Sequence, residues 1–262
     1  MIGDGLRLDV KPRQHTSAAA WWRRPFQHLT RLERHELSWL LIALAGSILL
    51  FAFLKLASEV MEGETLAFDT KMLRALRNPA DPARLIGPPW VQDALLDLTS
   101  LGSPVILSLV VLAVVGFLLL QTRYRTAFFV FITSTSAWFV NYALKNSFER
   151  TRPSAVPHLR DVASPSFPSG HALTSAVVYL TLGAVLMHVS KGRVTKIYCL
   201  TAAMMLTLLA GISRVCLGVH YPTDVIAGWI VGLLWASLCW GAAQMLERRT
   251  GMKAEQRKTG TG

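Results

Sequence analysis

The chain is short of charge. Only 16% of its 262 residues are Asp, Glu, Lys or Arg, against about 25% in an ordinary soluble domain. Intrinsic disorder is excluded by the same balance, because a disordered chain is polar and charged whereas 52% of this one is apolar. Three cysteines and 18 glycines exclude a disulfide-stapled secreted scaffold and a collagen-like repeat. No internal repeat is visible, which removes support for an inverted-repeat transporter. Acidic residues are also scarce, 16 against 27 Lys and Arg, for a net charge of +11. A nucleic-acid reader would gather that charge on a folded polar domain. Here 7 of the basic residues precede residue 37 and 5 follow residue 246. Basic ends around apolar stretches suit a lipid bilayer with anionic headgroups, and no nucleic-acid partner is expected.

Crossing a hydrocarbon core takes about 20 mostly apolar residues. Six stretches qualify: Leu37–Leu54, Leu98–Thr122, Thr126–Leu144, Ala172–Ser190, Ile197–Ser213 and Val225–Leu246. Pro and Gly fall mainly between them, and the alternation of barrel strands is missing, so the spans are helices. The expected fold is all-α, a polytopic membrane protein with six transmembrane helices in a bundle. With the N-terminus inside, the inner segments carry 17 Lys and Arg and the outer segments 9. That bias predicts both termini in the cytoplasm of a multi-pass cell-membrane protein. The first span starts too deep in the chain, and without a convincing small-residue cleavage site, to be a signal peptide.

Three regions follow: a basic cytoplasmic tail over 1–36, a six-span domain over 37–246 and a second basic tail over 247–262. Trp21, Trp22 and Phe26 alternate with Arg23 and Arg24, which predicts an interfacial stretch over 20–36. Phe68, Met72, Leu73 and Leu76 form one helical face in the first outer loop, beside Lys71, Arg74 and Arg77 and ended by Pro79. This predicts a short interfacial helix. Gly228 and Gly232 read as a close-packing device. Cys199, Cys216 and Cys239 read as small core residues.

Three polar clusters remain, and burying such groups near a membrane is costly. They are Lys145 to Pro153 after the third span, Pro168-Ser169-Gly170-His171 before the fourth, and Ser213 to Asp224 between the fifth and sixth. Span parity puts all three on one side, and the charge bias makes that side the outer one. Lys145, Arg152 and Arg214 offer three cations, and Arg presents a planar fork that matches phosphate oxygens. Ser169 and Gly170 open a helix, where free N–H groups favour an anion. His220 and Asp224, four apart at a helix start, can face each other. An aspartate accepting from one imidazole nitrogen leaves the other free to attack. His171 can then protonate the leaving oxygen and later activate water. The chemistry is a two-step displacement through a phosphohistidine, with no cofactor and no metal. Taken singly, each cluster has an ordinary explanation as a headgroup fringe, a helix cap or a structural pair. Their joint order, spacing and sidedness point to one site.

The pattern resembles the type 2 phosphatidic acid phosphatases, or lipid phosphate phosphatases, whose signature is KxxxxxxRP, PSGH and SRxxxxxHxxxD. Lys145 to Arg152-Pro153, Pro168 to His171, and Ser213-Arg214 to His220 and Asp224 match it without departure. The resemblance covers about residues 37–246. It implies His220 as nucleophile, Asp224 as its orienter and His171 as general acid and base. Lys145, Arg152, Ser169, Gly170 and Arg214 would bind phosphate. The implied substrate is a membrane lipid bearing a phosphomonoester or pyrophosphate, such as phosphatidic acid, phosphatidylglycerol phosphate, undecaprenyl pyrophosphate or a lipid A phosphate. Residues 58–97 and 154–167 are expected to choose among them. A phosphotransferase using the same residues, a vanadate-dependent haloperoxidase and a non-enzymatic membrane binder or transporter are the alternatives.

Overall fold

The computed structural model describes the backbone of residues 34–259 and side chains over 40–247. Residues 20–33 of the expected interfacial stretch therefore lie outside the described residues. The chain divides into two compact units, Met1–Ala45 and Gly46–Gly262. Of the first, the described part is the beginning of helix α1 (Arg34–Glu62). The second unit holds everything that follows.

After α1 comes the short helix α2 (Leu66–Ala75), then a two-stranded antiparallel hairpin of β1 (Arg77–Asn78) and β2 (Asp81–Leu85). Arg77 pairs with Leu85 and Asn78 with Asp81, with an irregularity between. The Asn78 side chain accepts from Ala80 N at 2.9 Å, an Asx turn that reverses the chain. Helix α3 (Pro89–Leu98) runs into a 3₁₀ turn (Thr99–Gly102). Helices α4 (Pro104–Leu120), α5 (Tyr124–Phe148), α6 (Gly170–Val189), α7 (Arg193–Cys216) and α8 (Pro222–Thr259) complete the order.

Five of these helices, α1 and α5 to α8, are long and apolar enough to cross a membrane. The second expected span, Leu98–Thr122, is bent: Pro89–Gly102 and Pro104–Leu120 meet at 50°, and counted together they bring the number of spans to six. The bend has a local cause. Pro104 has no N–H and restricts the residue before it, so the helix restarts there. The Ser103 hydroxyl caps the new start by accepting from Ile106 N at 3.3 Å. Helix α8 continues through Thr259, past its span-length part Pro222–Glu247, so the backbone stays helical into the segment expected as a C-terminal tail.

The short helix expected after the first span is present as α2, but its inward face is displaced from the expected one. Asp69 and Leu73 are buried, whereas Phe68 and Met72 are exposed. Helix α6 is central: 61% of its apolar window is buried, against 11% for α1. Between lipid-immersed helices, small residues permit close backbone approach and dispersion supplies the attraction. A Cβ on Gly228 would lie 2.7 Å from Ser169 O, and one on Gly232 would lie 2.6 Å from Ala176 Cβ. These two glycines press α8 onto α6. Phe53, Ala137, Phe167, Leu173, Val177 and Val231 belong to one core cluster. Leu107, Val111, Val130 and Val178 form a second. The outward apolar side chains, Phe51, Val105 and Tyr198 among them, are what a multi-pass protein turns to lipid. All three cysteines are free and half-buried.

Candidate active site

The third cluster lies where α7 gives way to α8. Gly218 turns the chain with φ +73°, and a Cβ there would also lie 2.5 Å from Arg77 Nη2. Only glycine meets both demands. The turn delivers His220 to an enclosed position, 2% exposed. Pro222 begins α8 and Asp224 lies in its first turn, where a negative charge suits the helix dipole.

The carboxylate of Asp224 is heavily engaged. Its Oδ2 lies 3.4 Å from His220 Nδ1 and accepts from Tyr221 N at 2.9 Å and from Ser166 Oγ. Its Oδ1 accepts from Arg150 Nη1 at 2.6 Å. On the other side of the imidazole, Nε2 is 3.3 Å from Arg152 Nη1. A guanidinium can only donate, so the neutral ring carries its lone pair on Nε2 and its proton on Nδ1, toward Asp224. Burial is the main cause that pushes His220 down to about 4, opposed by the bond to Asp224 and reinforced by Arg152 and Arg214. The ring is therefore neutral at ordinary pH, with a usable lone pair.

The first cluster is aimed by an unusual residue at the end of α5. Glu149 takes a left-handed conformation, φ +43°, and reverses the chain so that Arg150 and Arg152 turn inward. Arg152 donates from Nε to Ser164 O at 2.7 Å, from Nη1 to Val219 O at 2.5 Å and from Nη2 to Ser164 Oγ at 3.1 Å. Burial lowers its pKa, with Asp224 opposing. Lys145 donates to Pro165 O. Arg214, 1% exposed, donates from Nη1 to Thr99 Oγ1 at 3.1 Å.

The second cluster opens α6. Ser169 occupies the N-cap position, but its side chain makes no capping bond, and the backbone supplies the anchorage: Ser169 N donates to Asp224 O at 2.9 Å. A Cβ on Gly170 would meet the Asn141 amide at 3.1 Å. His171 packs against Gly102, and Arg214, His220, Arg160 and Lys145 all lie within its electrostatic reach. Four buried polar atoms here, Ser169 Oγ, His171 Nε2, Asn141 Oδ1 and Arg214 Nε, have no hydrogen-bond partner. Each such orphan costs about 1–3 kcal/mol; the Ser169 hydroxyl and Arg214 Nε can donate, so beside three cations they suit an oxygen-rich anion, whereas Asn141 Oδ1 can only accept.

All eight residues singled out in the sequence thus converge. Arg152, His220 and Asp224 are in direct line, and Ser169 joins Asp224 through the main chain. Arg214 and His171 lie within electrostatic reach of the ring, and Lys145 lies within that reach of His171, Arg152 and Asp224. Gly170 backs onto Asn141. Sequence reasoning missed Arg150, Asp69, Thr223, Ser166 and Thr99. Arg150 sits between two residues of the first cluster and was open to notice. Asp69 could have been noticed as the single acid in α2. Among the described residues, no group of three or more His, Cys, Asp or Glu is arranged to hold a metal ion.

The family model described as the PAP2 superfamily matches residues 125–248. Phosphatidylglycerophosphatase B of Bacillus subtilis is 32% identical over 204 residues, which cover 77% of this chain and 96% of that protein. The chain belongs to the PAP2 superfamily. A crystal structure of a transmembrane PAP2 type phosphatidylglycerolphosphate phosphatase from Bacillus subtilis has the same fold, with a TM-score of 0.68 and 28% identity, covering 76% of this chain and 96% of that one. A lipid A 1-phosphatase of Rhizobium johnstonii is 32% identical over 119 residues, 42% of this chain and 44% of that protein. The PAP2 match begins within α5 and ends within α8, so it contains all three clusters.

Proposed function

We propose that this PAP2 protein is a membrane lipid phosphatase that hydrolyses a phosphomonoester or pyrophosphate through a phosphohistidine, without a metal ion. The observation that carries the reading is His220 held between Asp224 at Nδ1 and Arg152 at Nε2. In the first step Nε2 attacks phosphorus, the bond to the lipid oxygen breaks, and His171 gives that oxygen a proton. The proton on Nδ1 remains shared with Asp224, which balances the charge the ring gains. In the second step His171 takes a proton from water, the hydroxide attacks phosphorus, and the N–P bond breaks to release inorganic phosphate. Lys145, Arg152, Arg214, Ser169 and the Gly170 backbone bind the phosphoryl oxygens and stabilise them as charge shifts. The named activities of the relatives support a lipid phosphate as substrate, and phosphatidylglycerol phosphate is the first to test.

The activity is assigned to residues 37–246, with the site at the outer face of the cell membrane and both termini in the cytoplasm, as the Lys and Arg distribution supports. The decisive experiment is phosphate release by the purified protein from a panel of lipid phosphates and pyrophosphates, with chelator. Turnover in chelator supports the reading; loss of turnover with recovery on adding a divalent ion overturns it. A cysteine introduced within 154–163 should react with an impermeant thiol reagent on intact cells, and one introduced after Leu246 should not. The opposite labelling reverses the orientation.

A further inference from the structure

Behind Asp224 lies a second carboxylate that the motifs do not contain. Asp69, on α2, is fully buried and 81 residues from Arg150 in sequence. Arg150 joins the two acids: Nη1 donates to Asp224 Oδ1 at 2.6 Å and Nη2 to Asp69 Oδ2 at 2.9 Å, with its side chain 10% exposed. Asp69 also accepts from Thr223 Oγ1 at 2.6 Å and from Thr223 N at 3.2 Å. The guanidinium lies over the Tyr221 ring, 4.1 Å from its centroid.

Charge counting gives this arrangement a purpose. Arg150 with Asp224 alone would be a neutral pair, and a full buried cation would compete with the imidazole for the carboxylate. With Asp69 sharing the guanidinium, the cluster behind His220 carries one net negative charge. His220 gains positive charge when Nε2 bonds to phosphorus, so that surplus stabilises the step and its product in a poorly solvated place. Resting on the histidine mechanism proposed above, we infer that Asp69, through Arg150, is a positioning residue that tunes Asp224 and thereby the nucleophilicity of His220. The first outer helix is thus part of the catalytic apparatus and not only a surface element. The groups acting directly on His220 are Asp224 from α8, Arg152 from the loop after α5, Arg214 from α7 and the imidazole of His171 from α6, while Arg150 and Asp69 reach it through Asp224.

The test is the kinetics of purified full-length Asp69→Asn, Asp224→Asn and the double variant on a soluble aryl phosphate, with unfolding temperatures measured alongside. For Asp69→Asn, kcat should fall about 10- to 100-fold, as for misplacement of a catalytic group by a supporting one. KM and inhibition by inorganic phosphate should stay within about twofold, because no phosphate-binding group is touched. Loss of a negative charge should move the acid limb of kcat/KM to lower pH. In the Asp224→Asn background the same substitution should cost almost nothing further. Additive losses, or a raised KM with kcat unchanged, overturn the inference. If Asp69→Asn does not fold, Asp69→Glu takes its place: it keeps the charge and should keep the pH profile, and a shifted acid limb in that variant counts against the inference. Turnover that survives His220→Ala overturns the histidine mechanism itself; turnover abolished there with an unaffected Asp69→Asn overturns only the role of Asp69.

Discussion

The two ends of the site differ in how far the protein completes them. Around His220, the Asp224 carboxylate receives four donors, and Arg152 is held by Ser164 and Val219. At the start of α6, by contrast, Ser169 Oγ, His171 Nε2 and the neighbouring Arg214 Nε have no protein partner although they are buried. The contrast separates two tasks. A nucleophile must be held in one tautomer and one orientation before substrate arrives, so its surroundings are saturated with protein contacts. At the start of α6, by the proposed reading, Ser169 and the neighbouring Arg214 keep donors uncommitted for the phosphoryl group, and their desolvation is tolerated because the ligand satisfies them. Arg152, in contrast, is already fixed by the protein because it also orients the ring.

The largest test of that division is at the saturated end. His220→Ala should lose at least about 10⁴-fold in turnover on every substrate, and rapid quenching should find no acid-labile phosphoenzyme. His171→Ala comes next, with a loss of about 10²–10⁴-fold on a lipid monophosphate, whose alkoxide leaves badly. The loss should be smaller for phosphoenzyme formation from p-nitrophenyl phosphate, and the variant should accumulate phosphohistidine in a burst. A His171→Ala protein that folds but shows no burst contradicts the division of roles.

Two serines, three residues apart, sharpen the comparison further. Ser169→Ala removes an uncommitted hydroxyl, so phosphate inhibition should weaken by about 5- to 10-fold, one hydrogen bond's worth, while the unfolding temperature in detergent stays unchanged. Ser166→Ala removes a donor to Asp224 and should lower both kcat and the unfolding temperature. Equal effects on unfolding would erase the distinction between the two ends. The smallest effect is a shift in pH dependence. In the proposed step His220 attacks as the neutral ring, and its pKa, pushed down to about 4, should place the acid limb there, with activity lost as pH falls through that value. Arg152→Gln removes a cation that helps hold it low, so the limb should rise by about one unit when kcat/KM is followed against pH.

What could be read from the sequence was whatever is local. His220 and Asp224 are four apart, and Ser169 to His171 are consecutive, so spacing alone put them on shared turns. Lys145, Arg152 and Arg214 were legible through span parity, because apolar runs of membrane length decide which charges share a side. The bend before Pro104 was less legible: an uncharged run from Leu98 to Thr122 satisfies the length criterion whether straight or broken. Asp69 was hidden by its neighbours. The apolar face of α2 was read through Phe68, Met72, Leu73 and Leu76, but tertiary contact with Arg150 and Thr223 turns the Asp69–Leu73 edge inward. A buried ion pair between distant segments leaves no period in either one.

One backbone bond has a wider implication. Ser169 N donates to Asp224 O, so the loop that leads to His171 and the helix that carries Asp224 are joined through peptide groups. Side-chain replacement other than by proline leaves both peptide groups of that link in place. In the proposed mechanism that tie helps to hold the separation of nucleophile and acid whatever side chains surround it. A lineage that keeps this peptide tie can exchange the stretches that meet the rest of the lipid while inheriting the chemical step intact. One reaction centre can in this way be carried from one lipid headgroup to another.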